Sequence, residues 1–75
     1  MSILDNFNND VIEINISNKN INESLDFSKF TKLQTLDCSY NKIIQLNNLP
    51  NSLQTLYCIN NQIVALDNLP NSLQT

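Results

Sequence analysis

The chain has 75 residues, with four Lys plus Arg, seven Asp plus Glu and no His, so it forms at most one small domain with a net charge of −3. Without Gly it cannot form the phosphate-binding loops of P-loop and dinucleotide-binding proteins. Without His it has no Ser-His or Cys-His nucleophile pair and no His metal ligand, and its acidic balance argues against a nucleic-acid partner.

The first segment, residues 1–10, matches no motif. It has neither the basic start nor the apolar stretch of a secretory signal, and no part of the chain has the roughly 20 apolar residues of a membrane span. We therefore expect an intracellular protein with no membrane partner. The expected location is the cytoplasm, either of the cell that encodes the protein or of a host cell. Asn makes up 15 of the 75 residues, but the apolar content of 41% favours a folded chain over a disordered one.

A repeat organises residues 11–75. Residues 33–52 and 53–72 are identical at 13 of 20 positions, and residues 73–75 begin another copy. Residues 11–32 form a divergent first unit that is two residues longer. Its apolar residues match the spacing of the second unit at an offset of 22, pairing Val11, Ile14, Ile16 and Ile21 with Leu33, Leu36, Cys38 and Ile43.

Each unit is predicted to contain one strand, at residues 13–17, 35–39 and 55–59. In the second unit, buried Leu36 and Cys38 alternate with polar residues, which is typical of a strand with one buried face. The chain then turns, and Pro50 keeps the returning segment extended or in a 3₁₀-like turn.

Stacked copies pair these strands in parallel and bury their apolar side chains against one another. The predicted core is Val11, Ile14, Ile16, Ile21, Leu25, Leu33, Leu36, Cys38, Ile43, Leu46, Leu49, Leu53, Leu56, Cys58, Ile63, Leu66 and Leu69.

The pattern Leu33-x-x-Leu36-x-Cys38-x-x-Asn41-x-Ile43, repeated 20 residues later, resembles the leucine-rich repeat family. The repeat length and the Leu-Pro-Asn-Ser tail are similar to the short class of bacterial effectors, and the Asn-rich, Cys-bearing version is similar to repeats of large DNA viruses. The resemblance implies an α/β-type solenoid, mostly β: a right-handed coil with a short parallel sheet and extended or 3₁₀ return segments.

The resemblance also implies a structural role for Asn41 and Asn61. In this family the Asn amide bonds backbone groups of the turn and of the next repeat, and an amide carries both donors and an acceptor. Lys19 occupies the equivalent position of the divergent first unit, as expected for a terminal repeat.

In this family the strand face lines a concave surface that binds protein partners. The candidate binding residues vary between the two good repeats, and an exposed Tyr beside an Ile suits a contact anchor. Solvent-facing residues without a partner, or residues partly covered by a missing neighbour, are the alternatives. The candidates are Asp37, Ser39, Tyr40, Tyr57, Ile59 and Asn60.

Cys38 and Cys58 share a repeat position and are expected to be neighbours. A disulfide, a metal pair and a reactive thiol are alternatives, but two thiolates without His make a poor zinc site and nothing suggests a positive neighbour. We expect two small buried hydrophobes in a reducing compartment, with no metal and no cofactor.

The function that these patterns favour is non-catalytic protein binding through the strand face. One alternative is the repeat part of a larger effector enzyme, such as a ubiquitin ligase, with catalysis in another domain. Another is an inactive truncated remnant, because the last copy stops at Thr75. That stop leaves the strand around Tyr57 as an open edge, which predicts edge-strand self-association.

Overall fold

Short strands separated by turns follow an N-terminal 3₁₀ helix in the computed structural model, which describes residues 3–64, 69–71 and 73. The result is a small, mostly-strand domain with short parallel sheets. In chain order the elements are the 3₁₀ helix Ile3–Asn6, β1 Glu13–Asn15, β2 Leu25–Asp26, β3 Thr35–Asp37, β4 Leu46–Asn47 and β5 Thr55–Tyr57.

The strands alternate between two sheets. β1, β3 and β5 form a three-stranded parallel sheet in that order, and β2 and β4 form a two-stranded parallel sheet. The first two units therefore each contribute a strand to both sheets, and the return segments are extended as predicted. The return segment of the third unit falls largely on residues 65–68, outside the described residues.

The strand register confirms the alignment of the units. Ile14 pairs with Leu36 at an offset of 22 residues, and Leu36 pairs with Leu56 at an offset of 20. On the return side, Leu25 pairs with Leu46 at an offset of 21. Compared with the second unit, the first unit therefore has one extra residue before β2 and one extra residue after it.

Each strand of the larger sheet is two residues shorter than predicted. The backbone ladder continues past the strand ends, with Ile16 donating its N–H to Asp37 and Cys38 donating to Tyr57, both at 2.8 Å. The chain then turns sharply, because the residue after each predicted strand has a left-handed backbone. These residues are Asn18, Tyr40 and Asn60, with φ of 55°, 58° and 54°.

Left-handed positions explain part of the Asn content. A chain without Gly must fill such positions with other residues, and Asn tolerates them best. Asn20 and Asn48 join Asn18 and Asn60 in this region. Tyr40 is the exception, because a bulky side chain is disfavoured there.

The predicted core is largely confirmed. Most of the residues are buried, but Val11, Leu49, Cys58 and Ile63 are only partly buried against it. The prediction for Leu69 is wrong, because its side chain is exposed, and Leu66 lies outside the described residues.

Three hydrophobic residues of the buried core are absent from the predicted core. Phe27 and Phe30 are fully buried, with ring centroids 6.3 Å apart, and Leu4 of the 3₁₀ helix belongs to the same cluster. The divergent return segment thus fills its interior with two aromatic rings. In the part of the chain that the structure describes, no helix has the length and apolar character to cross a membrane.

Candidate functional site

The candidate site is the outward side of the three-stranded sheet, here called the strand face. Its side chains alternate with buried Ile14, Leu36 and Leu56 along the strands. The strand register aligns these side chains in two rows across the sheet, and the backbone hydrogen bonds beyond the strand ends align a third row. The rows are Glu13, Thr35 and Thr55; Asn15, Asp37 and Tyr57; and Ser17, Ser39 and Ile59.

In the first two strands, polar side chains of this face bond to their own turn. The Ser17 backbone N–H donates to Asn15 Oδ1 at 3.1 Å, and the Ser17 hydroxyl donates to the same atom at 2.8 Å. The Ser39 N–H likewise donates to Asp37 Oδ1 at 3.1 Å. Asx residues stabilise turns in this way, so these side chains already have a local structural role.

The third strand carries different chemistry at the same two positions. Tyr57 and Ile59 replace the Asx and Ser residues, and they are 47% and 58% exposed. Neither an aliphatic side chain nor a phenol ring can form the Asx turn. The strand face therefore changes from polar and internally bonded to apolar and exposed at β5.

The other candidate residues differ in accessibility. Ser39 is buried, so its side chain offers little contact surface. Tyr40 is 49% exposed, and its N–H donates to the Ile59 carbonyl at 2.9 Å. Asn60 is exposed at the same turn position of the last unit. Tyr40, Tyr57 and Ile59 are thus brought together at one end of the face, with Asp37 beside Tyr57.

Asn41 links the second unit to the first. Its Nδ2 donates to the carbonyls of Ile16, Cys38 and Ser39 at 2.9 to 3.2 Å. Its Oδ1 accepts from the N–H groups of Lys19 and Ile21 at 2.9 and 3.0 Å. These bonds join the turn to the preceding unit, so the expectation of bonds to the next repeat is wrong in direction.

Asn61 repeats this arrangement one unit later. Its Oδ1 accepts from the Ile43 N–H at 3.0 Å, and its Nδ2 donates to the carbonyls of Cys38, Cys58 and Ile59 at 2.9 to 3.2 Å. Because each Asn satisfies backbone groups of two units at once, it fixes the spacing between them.

The two cysteines are free thiols in different environments. Cys38 is fully buried, and burial, with smaller contributions from Cys58 and Asp37, raises the pKa of its thiol to about 12. Cys58 is only partly buried, and its pKa is raised by burial as well. Both thiols are therefore protonated at neutral pH and are poor nucleophiles.

A surface cavity of about 290 Å³, which no sequence motif predicts, lies apart from the strand-face candidates. In its lining, the hydrogen bond from the Ser28 N–H is the largest cause that lowers the pKa of the Asp26 carboxyl, and the bond from Asn48 lowers it further. Lys29 forms an ion pair with Asp5 at 3.8 Å. Among the described residues, no group of His, Cys, Asp or Glu could hold a metal ion. The cavity is lined by Leu4, Asp5, Glu23, Ser24, Asp26, Ser28 and Lys29.

Compared with known proteins, the chain matches no family model, no curated protein and no solved structure.

Proposed function

We propose that the chain is a leucine-rich repeat solenoid that binds a protein partner through its strand face, without catalysis and inside the cell. The regular register of β1, β3 and β5 supports stacked units, and so do the matching bonds of Asn41 and Asn61. Two free thiols on neighbouring strands support a reducing compartment.

One observation carries the binding proposal: exposed Tyr57 and Ile59 stand where the preceding strands carry Asx and Ser residues engaged in their own turns. Aromatic residues are enriched among the anchors of protein interfaces. The second and third units keep the same residues at their core positions, whereas three of their seven differences, at positions 37/57, 39/59 and 40/60, lie on the strand side. A constant scaffold with a variable face is the arrangement that a binding surface requires.

Tyr40 adds a second argument for a contact role. It holds a left-handed backbone at φ 58°, where the equivalent positions of the other units carry Asn. For a bulky residue this conformation costs about 1–2 kcal/mol. The side chain is 49% exposed, so about half of its surface is open to a partner, and contact with a partner supplies a reason for Tyr at this position.

The test is partner capture by matched variants from a lysate of the cells in which the protein occurs. The strand-face variant combines Tyr57→Ala with Ile59→Ser. Interface anchors typically contribute about 2 kcal/mol or more, so this variant should lose the partner, while circular dichroism shows an unchanged fold.

The control variant carries Asn47→Ala and Asn51→Ala on the return segment and should retain the partner. Retention of the partner by the strand-face variant would contradict the proposal, as would a failure of the wild-type chain to capture any protein.

A further inference from the structure

Core positions of the last unit are partly exposed to solvent. Cys58 and Ile63 are partly exposed, although the residues at the same positions of the second unit, Cys38 and Ile43, are fully buried. Within the described residues β5 pairs on one side only, with β3. Val64 beside this end is 86% exposed. We call the surface formed by residues 55–59, Ile63 and Val64 the tail end.

The opposite end of the stack is covered. β1 is also paired on one side only among the described residues, yet Ile14 and Ile16 are almost fully buried. Leu4 lies in the same core cluster, and Phe7 packs against it. The 3₁₀ helix and the residues after it therefore cover the first unit, and the N-terminal face of one copy is not available to stack on the tail end of another.

Charge is also distributed unevenly between the two ends. Ten of the eleven charged residues precede residue 43, and Asp67 is the one that follows. Proteins usually protect an exposed edge strand with charged side chains, above all Lys. Residues 43–64, which include β5, have none, so the edge strand itself lacks this protection, and Asp37 lies one strand further in, opposite Tyr57.

We propose that two copies of this chain associate tail end to tail end, with their β5 edges antiparallel about a two-fold axis. Among the described residues, the tail end is the one end of the stack whose core positions remain partly exposed. The surface of another copy that can cover it is therefore a second tail end. An interface of this type uses the same patch on both copies and closes at two. Backbone pairing of the edges would continue the ladder that already joins β3 to β5.

The association should be weak, because a three-residue edge and a few apolar side chains bury less than a standard interface. Sedimentation of the wild-type chain should show a monomer–dimer equilibrium with a Kd in the range of about 10 to 500 µM. A monomer at all accessible concentrations would overturn the proposal, and so would growth beyond the dimer.

Matched lysine variants test the location of the contact. Ile59→Lys and Val64→Lys place like charges opposite each other across the two-fold axis and should raise the Kd at least about tenfold. Ile12→Lys is the control, because Ile12 is 57% exposed against 58% for Ile59 and precedes β1 at the covered end. An equal effect of Ile12→Lys would place the contact elsewhere and overturn the proposal.

Thiol labelling gives a measurement that needs no variant. If the tail ends meet, labelling of Cys58 should slow as the concentration of wild-type protein rises through the Kd, while labelling of Cys38 stays constant. A rate for Cys58 that does not change while the chain dimerises would contradict a tail-end contact.

Discussion

The second and third units place the same residues in the same register and give them different environments. Leu36, Cys38 and Ile43 are fully inaccessible to solvent, whereas Leu56 is slightly exposed and the equivalents of the other two, Cys58 and Ile63, are only partly buried. The local sequence cannot cause this difference, since these three positions are identical in the two units.

The comparison teaches that burial in this chain comes from the neighbouring unit. The second unit has strands on both sides, β1 and β5, whereas β5 has only β3 among the residues that the structure describes. In repeat proteins stability is approximately a sum of unit terms and nearest-neighbour terms. Identical substitutions in the two units should therefore have different effects.

The largest difference should follow from truncation of the same isoleucine in each unit. Ile43→Ala leaves a cavity in a closed core and should lower the free energy of unfolding by about 2–5 kcal/mol. Ile63→Ala, at a position that is only partly buried, should cost less, about 1 kcal/mol. Equal values in a urea titration would show that the two units are equally enclosed.

A smaller effect is expected at the Asn positions. Asn41→Ala leaves buried backbone groups of two units without partners, which should cost about 1–3 kcal/mol. Asn61→Ala should cost less, because its bonds are closer to solvent. Asn47→Ala on the return strand is the control and should stay within about 0.5 kcal/mol. The structural role of Asn41 would be refuted if its substitution were no more harmful than that of Asn47.

The smallest expected effect has the opposite sign. Tyr40→Asn places at the left-handed turn the residue that the other units carry there, and should raise the free energy of unfolding by up to about 1 kcal/mol. If Tyr40 contacts the partner, the same variant should also weaken partner capture. A destabilised Tyr40→Asn protein would show that the ring packs favourably and that its backbone carries no excess cost.

The spacing of apolar residues was sufficient to predict the parallel strands and their register. Leu36 and Cys38 alternate with polar residues, and the near-identity of two units fixes the offset without any structure. The ladder position of Asn41 followed from the family pattern, although the direction of its bonds did not.

Other features depend on contacts that a repeat pattern does not encode. Leu4 precedes the repeats, and it is buried in the same core cluster as the strand residues of the units. Phe27 and Phe30 lie in the divergent return segment and are fully buried, which their size and apolar character could have indicated. Ser39 is buried although it lies on the strand face, and Leu69 was placed in the core by repetition alone.

Extension of the stack tests most directly the claim that each unit is completed by the next. A copy of residues 56–75 added after Thr75, which continues the 20-residue period in register, should raise the melting temperature, measured where the chain is monomeric, and should reduce the labelling rate of Cys58 towards that of Cys38. An unchanged or lower melting temperature, with Cys58 labelled as fast as before, would contradict the stacked-unit account.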